Sequence, residues 1–292
     1  MTIRNVRERR DVMLAYPFDE KRLKRYIKPW IVQPKVEGNR CRAEIDAVGD
    51  VTLYSSSARV ITSVPHINQA LKESGLKNIE LDGELYVHGM PHQELSSRVS
   101  PTVSRHPDYE NVEYHVFDII DMDTLGVPPD QRVRCELIRH LSLPTVVQPV
   151  DYYLAETLDQ VEGWYNQFLS DGYEGIIIRN GVTPYERRRT TNVMKLKPRL
   201  SGVYTVVDYE EESDIHGRAK NALGALVLKD LPGPETCTEV TFKVGTGFSR
   251  LLRQDLWALR SDLKGKRVKI RYQSCTLDGK PKMASFESFV EG

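Results

Sequence analysis

Cysteine is scarce in this 292-residue chain, with Cys41, Cys135, Cys237 and Cys275 widely spaced and no Cys-x-x-Cys pair among them. That spacing argues against a zinc module and a disulfide scaffold, and the thiols are expected to be reduced. No apolar run approaches the roughly twenty residues of a membrane helix. The charged stretch from Arg4 to Asp11 is not followed by a hydrophobic segment, so a soluble cytoplasmic protein without membrane attachment is expected. Charge of one sign is not in excess either: 41 Lys and Arg face 41 Asp and Glu. Any attraction for a polyanion must therefore come from a local basic surface. Repeats and low-complexity tracts are also missing, and no feature implies a stable oligomer, so a monomer is expected.

What is present is enough chain for two domains, each with its own core. From Trp30 to about Lys197, short β-rich runs alternate with loops and a few helices, the pattern of an antiparallel-rich α+β domain. Strands are expected at Ile31 to Pro34, Arg40 to Ala47, Val51 to Tyr54, Ile79 to Val87, Tyr114 to Ile120 and Gly175 to Arg179. Thr157 with Gln160 three residues on reads as a capping box, opening a helix whose buried stripe is Leu158, Val161, Tyr165, Phe168 and Leu169. After Pro198 come Val/Tyr/Thr-rich strands, a Gly/Pro turn at Leu231 to Pro234, and a helix from Ser249 to Leu263 with Leu252, Leu256, Leu259 and Leu263 inward. Short strands with one helix fit a small β-barrel of the oligonucleotide-binding (OB) type, among other small β folds. The expected division is 1–200 and 201–292.

Four segments carry the chemistry. Lys35-Val36-Glu37-Gly38-Asn39-Arg40 places a lysine at a strand exit; Leu81-Asp82-Gly83-Glu84-Leu85 places two carboxylates at a strand end. Asp171-Gly172-Tyr173-Glu174-Gly175 places another at a strand start, and Lys195-Leu196-Lys197 puts two ammonium groups on one face of an extended strand. Each has a bland explanation by itself: a surface turn, a common Asp-Gly turn, a solvated edge, an exposed Lys-x-Lys face. All four in one order are harder to explain that way.

Together with Tyr114-His115-Val116-Phe117-Asp118, these segments resemble, in order and approximate spacing, the motifs of the covalent nucleotidyltransferase superfamily. That superfamily holds DNA ligases, RNA ligases and messenger-RNA capping guanylyltransferases. Phe242-Lys243-Val244-Gly245-Thr246-Gly247-Phe248-Ser249, then Tyr272-Gln273 ahead of Asp278-Gly279-Lys280, look like the OB domain of small ATP-dependent DNA ligases. The resemblance implies an ATP-grasp-like nucleotidyltransferase domain followed by an OB-fold. It also implies nicked duplex DNA and ATP as partners, with Mg²⁺ or Mn²⁺ as cofactor. An NAD-dependent ligase would need segments that are not seen here.

The roles that follow are implied by that resemblance. Lys35 is the nucleophile that accepts AMP; attack through nitrogen needs the neutral amine. Glu84 and Glu174 handle ribose and divalent metal, with Glu174 favoured for the metal. Arg40 contacts the ribose, and Phe117 stacks on adenine, with core packing as its alternative. Lys195 and Lys197 grip the α-phosphate. Gln33 either hydrogen-bonds the adenine edge or serves as a strand residue. DNA contacts are expected from Arg59, Arg189 and Lys282, with Arg187 and Arg188 as neighbouring candidates, through phosphates and hence in a salt-sensitive way.

Three departures stand out. Glu37 replaces the usual aspartate of the first motif. Ser56 stands where an arginine is common, with Arg59 as substitute. Lys282-Met283-Ala284-Ser285-Phe286 carries lysine in place of an arginine, keeping the charge but losing the two-pronged fork. Self-adenylation is therefore expected to be slower than sealing of pre-adenylated nicks. Little sequence precedes Lys35, so no separate helical DNA-encircling domain is expected there. The rival readings are an RNA ligase or capping-type enzyme, and a non-catalytic nucleic-acid binder that retains the OB domain.

Overall fold

The computed structural model describes residues 12–100, 104–120, 130–230, 241–276 and 279–290. They cluster into two units, Met1–Lys197 and Pro198–Gly292. The turn at Leu231 to Pro234, Cys237 and Asp278 lie outside the described residues.

The strands of the first unit are β1 (Leu14–Pro17), β2 (Trp30–Pro34), β3 (Asn39–Ile45), β4 (Val51–Ser55), β5 (Ile79–Tyr86), β6 (Glu113–Ile120), β7 (Val147–Pro149), β8 (Tyr153–Ala155), β9 (Ile176–Arg179) and β10 (Arg189–Leu196). Its helices are α1 (Glu20–Leu23), α2 (Pro65–Glu73), α3 (His92–Val99), α4 (Gln131–His140) and α5 (Leu158–Ser170). The strands form two five-stranded sheets, ordered β1-β10-β9-β2-β8 and β4-β3-β5-β6-β7.

Period-two patterning explains the second sheet. Cys41, Ala43 and Ile45 of β3, Leu81 and Leu85 of β5, and Tyr114, Val116 and Ile119 of β6 join one core with Ile67, Leu95 and Ile138 from the covering helices. The alternate positions of β3 and β5 are charged and lie in register, Arg40 opposite Glu84 and Arg42 opposite Asp82. A register shift between Asp82 and Gly83 marks a bulge in β6, where Asp118 pairs with Asp82 but Val116 pairs with Gly83. Phe117 is the extra residue. The backbones approach so closely that a Cβ on Gly83 would lie 2.2 Å from the His115 carbonyl oxygen. In the first sheet, Trp30, Val32, Ile176, Ile178 and Met194 pack on Val161 and Phe168 of α5. The expected capping box of Thr157 and Gln160 is formed. Leu158 is an exception to the expected stripe: it occupies the first helical position and stays exposed.

The second unit contains β11 (Leu200–Ser213), β12 (Ala219–Asp230), β13 (Phe242–Val244), β14 (Arg267–Tyr272), β15 (Ser274–Cys275), β16 (Pro281–Lys282), β17 (Ser285–Val290) and the helix α6 (Arg250–Ala258). Five strands form one sheet, ordered β13-β12-β11-β14-β17, with Tyr204, Leu226, Phe242, Val268 and Ile270 in its core. The expected barrel is not closed by a continuous ladder among the described residues. Its edges meet only at a point, where the Phe286 N–H donates to the Thr246 carbonyl at 2.9 Å and the Thr246 hydroxyl donates to the Ala284 carbonyl at 2.7 Å. Ser249 caps α6 through the Leu252 N–H, and Leu256 and Leu263 are buried. Leu259 is exposed, against expectation: it is the C-cap of α6, where the α-helix ends before a 3₁₀ turn at Arg260–Asp262. Cys41 and Cys135 are free and buried, whereas Cys275 is disulfide-bonded, which corrects the expectation that the thiols are all reduced.

Candidate active site

Lys35 follows β2 and Glu174 precedes β9, and reciprocal backbone bonds lock the two together. The Lys35 N–H donates to the Gly175 carbonyl at 2.8 Å, and the Glu174 N–H donates to the Lys35 carbonyl at 3.0 Å. Antiparallel pairing of β9 with β10 brings Lys195 opposite Ile177. Gly175 (φ +142°) has no room for a side chain, since a Cβ there would lie 2.2 Å from the Leu196 carbonyl oxygen and 3.0 Å from the Cα of Lys197. The consequence is a three-membered ion cluster: both Lys35 Nζ and Lys197 Nζ bind the Glu174 carboxylate, the latter at 3.0 Å.

Beside this cluster lies a cavity of about 180 Å³ whose walls include Gln33, Lys35, Arg40, Glu84, Phe117 and Lys195. Six of the residues singled out in the sequence thus converge on one space, with Glu174 and Lys197 tied to it through Lys35. Phe117 stands outside the hydrophobic cluster that takes Tyr114, Val116 and Ile119, because the bulge turns it the other way. Arg40 lies over its ring at 4.6 Å and Arg179 at 5.4 Å. Arg40 is held by Asp82, with Nε donating to Oδ1 at 2.6 Å and Nη2 to Oδ2. The Gln33 side-chain carbonyl accepts from Arg179 Nε at 2.7 Å, and its amide donates to the Val150 carbonyl at 3.5 Å.

The electrostatics divide the two glutamates. Burial pulls the Glu174 carboxyl upward, but Lys35 and Lys197 outweigh it and leave the group below the usual carboxylate range. For Glu84 burial wins over Arg40 and Lys35, and its carboxyl is pushed up to about 7. Its Oε2 is buried without a hydrogen-bond partner. Burial, then Lys197 and Lys35, push Lys195 below the ordinary lysine value. Among the described residues no group of three or more His, Cys, Asp or Glu could hold a metal ion by itself. The orphaned Glu84 oxygen and the Glu174 carboxylate fit a divalent cation that takes its remaining ligands from phosphate and water, the habit of Mg²⁺.

The remaining candidates lie elsewhere. Arg59 is exposed in the turn after β4, where the Ser55 N–H donates to its carbonyl at 2.8 Å. Arg189 is exposed and donates to the Ala15 carbonyl at 2.7 Å. Arg187 spends its fork on Glu80, at 2.9 and 2.6 Å, and Arg188 pairs with Glu186. Lys282 belongs to the second unit, in β16. No role follows from the sequence for Arg179 or for Met13, Leu14 and Ala15, which line the cavity, nor for Asp118, which pairs with Arg179. Asp118 and Arg179 left a signal, a charge set in or ending an apolar run that has to find a buried partner.

Residues 12–197 match the family described as ATP dependent DNA ligase domain, and residues 216–289 match the DNA ligase OB-like domain. A DNA ligase of African swine fever virus (strain Badajoz 1971 Vero-adapted) is 29% identical over 206 residues, covering 68% of this chain and 47% of that protein. The chain thus spans about half the length of these viral relatives. A DNA ligase of Haemophilus influenzae is 25% identical over 206 residues, 70% of each chain. A solved Lig E DNA ligase superimposes with a TM-score of 0.75 at 20% identity, over 96% of this chain and 98% of that one, which establishes the likeness of fold. On the match that embraces the whole first unit from Val12 to Lys197, the chain belongs to the family of ATP-dependent DNA ligase domains.

Proposed function

We propose that this protein is a DNA ligase that seals nicks in duplex DNA at the expense of ATP, using Lys35 as its covalent nucleophile. The observation that carries the reading is the convergence of Lys35, Arg40, Glu84, Phe117 and Lys195 on one cavity, with Glu174 and Lys197 joined to it through the Lys35 ion pair. In the first step Lys35 Nζ, freed from Glu174 and deprotonated, attacks the α-phosphorus of ATP; a P–N bond forms, the bond to the bridging oxygen breaks, and pyrophosphate leaves. Lys195 and Lys197 offset charge on the phosphate oxygens, Arg40 and Glu84 meet the ribose, and the Phe117 face receives the base. Gln33 meets the edge of the base or simply anchors Arg179. A divalent ion held by Glu174 and Glu84 would supply charge neutralisation at the phosphates.

AMP then passes from Lys35 to the 5′-phosphate of the nick, and the neighbouring 3′-hydroxyl displaces it, closing the strand and releasing AMP. In this reading residues 1–200 form the adenylation domain and 201–292 the OB domain. Arg59, Arg189 and Lys282 contact DNA phosphates, and the protein acts as a monomer. Lysine at position 282 makes self-adenylation slower than sealing of pre-adenylated nicks; single-turnover rates with adenylation as the faster step would remove that point. The reading places the enzyme in the cytoplasm. A Cys275 that titrates as a free thiol in protein taken from its host supports this, whereas a persistent disulfide moves it to an oxidising compartment.

Intact mass after incubation with ATP and Mg²⁺ tests the core of the proposal. One added AMP, lost in Lys35→Ala, followed by sealing of a nicked DNA duplex, is the expected result. An unchanged mass would leave a nucleic-acid binder, and turnover confined to GTP or to RNA strands would point to a capping enzyme or an RNA ligase.

A further inference from the structure

The Tyr185 hydroxyl sits between two cavity walls that are distant in sequence. It donates to Asp82 Oδ2 and accepts the Met13 backbone N–H at 2.8 Å. These directions are forced, because a carboxylate here only accepts and a backbone N–H only donates. Asp82, fully buried, grips Arg40, and Arg40 Nη2 in turn donates to the Met13 carbonyl at 3.2 Å. Tyr185, Asp82, Arg40 and Met13 therefore close a ring of hydrogen bonds. Met13 leads directly into β1, which pairs in parallel with β10, and Met13, Leu14 and Ala15 line the same cavity as Lys35 and Glu84.

We propose that Tyr185 is a positioning residue for the nucleotide: through one hydroxyl it fixes Arg40 and the N-terminal strand as a single preorganised wall of the cavity. The proposal rests on the assignment of that cavity to ATP. Burial and then Asp82 hold the Tyr185 hydroxyl well above the ordinary tyrosine range, so the donated proton stays in place at every working pH. Substitution by Phe keeps the ring, which Arg134 approaches at 5.9 Å, and removes only the two hydroxyl bonds. The Met13 N–H then loses its partner and Asp82 Oδ2 keeps only Arg40, so the wall must be ordered by the ligand itself, at a cost in affinity.

The test uses Lys35→Ala as parent, so that ATP binds without reacting, and adds Tyr185→Phe. Calorimetry should give about tenfold weaker ATP binding, one lost bond to a charged group. Hydrogen exchange at the amides of residues 13 to 16 should accelerate. With Lys35 intact, Tyr185→Phe should raise the KM for ATP in self-adenylation while the saturated single-turnover rate changes less than about twofold. Tyr152→Phe, which removes a tyrosine–carboxylate bond to Glu136 in the same unit, is the control and should leave ATP affinity unchanged. ATP affinity within about twofold of the parent overturns the proposal, as does an equal loss in Tyr152→Phe, because the effect would then be general loosening. A parent that binds no ATP at all overturns the functional reading instead, a result separate from the other two.

Discussion

Two charged clusters in the first unit use the same chemistry for opposite ends. In one, the Asp118 carboxylate is shared by Arg134 Nε at 2.7 Å and Arg179 Nη1 at 3.0 Å, with Gln131 bonding both arginines. Asp118 is 0% exposed and the side chain of Arg134 2%. In the other, Glu174 is shared by Lys35 and Lys197, whose side chains are 20% and 26% exposed. The first is built of planar guanidinium forks in a fixed geometry and is almost wholly buried, reaching the cavity only through Arg179. The second is built of single ammonium groups on flexible stems and borders a cavity. Arginine pairs of the first kind hold a scaffold; lysine pairs of the second kind can be broken by an incoming phosphate, which offers the ammonium groups new partners. A structural ion cluster and one open to a ligand are thus told apart by access and by the exchangeability of their cations.

That contrast can be broken at several points. Lys35→Ala should lower AMP incorporation below about one-thousandth of the parent while the thermal midpoint barely moves, since Glu174 keeps Lys197; mass spectrometry and a melting curve on the same sample check both halves. Asp118→Ala should do the reverse, leaving two buried guanidinium groups without their carboxylate. A loss of about 3–5 kcal/mol in urea unfolding is expected, and a loss under 1 kcal/mol would show the buried cluster to be as replaceable as the open one.

Glu84 lines the cavity beside the second cluster. Because its carboxyl is pushed up to about 7 in the folded chain, against an ordinary 4.5, the native state holds a proton that the unfolded chain has already released. Stability of the ligand-free protein should therefore fall as pH rises from about 5 to 8, by roughly 2–3 kcal/mol. Glu174, shifted the other way, has made its favourable contribution by the lower end of that window. Chemical denaturation across the range should show the slope, and Glu84→Gln should flatten it. The smallest effect is expected at an exposed side chain outside both clusters: Arg189→Ala should weaken binding to nicked duplex a few-fold and lower the salt slope by about one, as read by titration at several salt concentrations.

Much of the site was legible because its chemistry sits in short segments whose side chains share a strand face or a turn. Lys195 and Lys197 two apart, Asp82 and Glu84 two apart, and a lysine at a strand exit are local facts, as is the capping box of α5. The bulge that turns Phe117 out of the hydrophobic core was not legible, since it depends on how β6 registers against β5. Nor was the partnership of Tyr185 with Met13, 172 residues away. Leu259 departs from its expected burial because it caps the end of α6, where the stripe no longer has a helix to continue along.

By itself the chain set the order and spacing of the lysine and carboxylate segments on which the resemblance rests, and which segments would be strands or helices, because periodicity and turn chemistry act between neighbours. The sharing of Glu174 by two lysines, the unpaired buried oxygen of Glu84 and the place of β1 in the cavity wall came from the folded arrangement. Those outcomes depend on register, burial and close backbone approach between distant segments, and none of these is a property of any stretch taken alone.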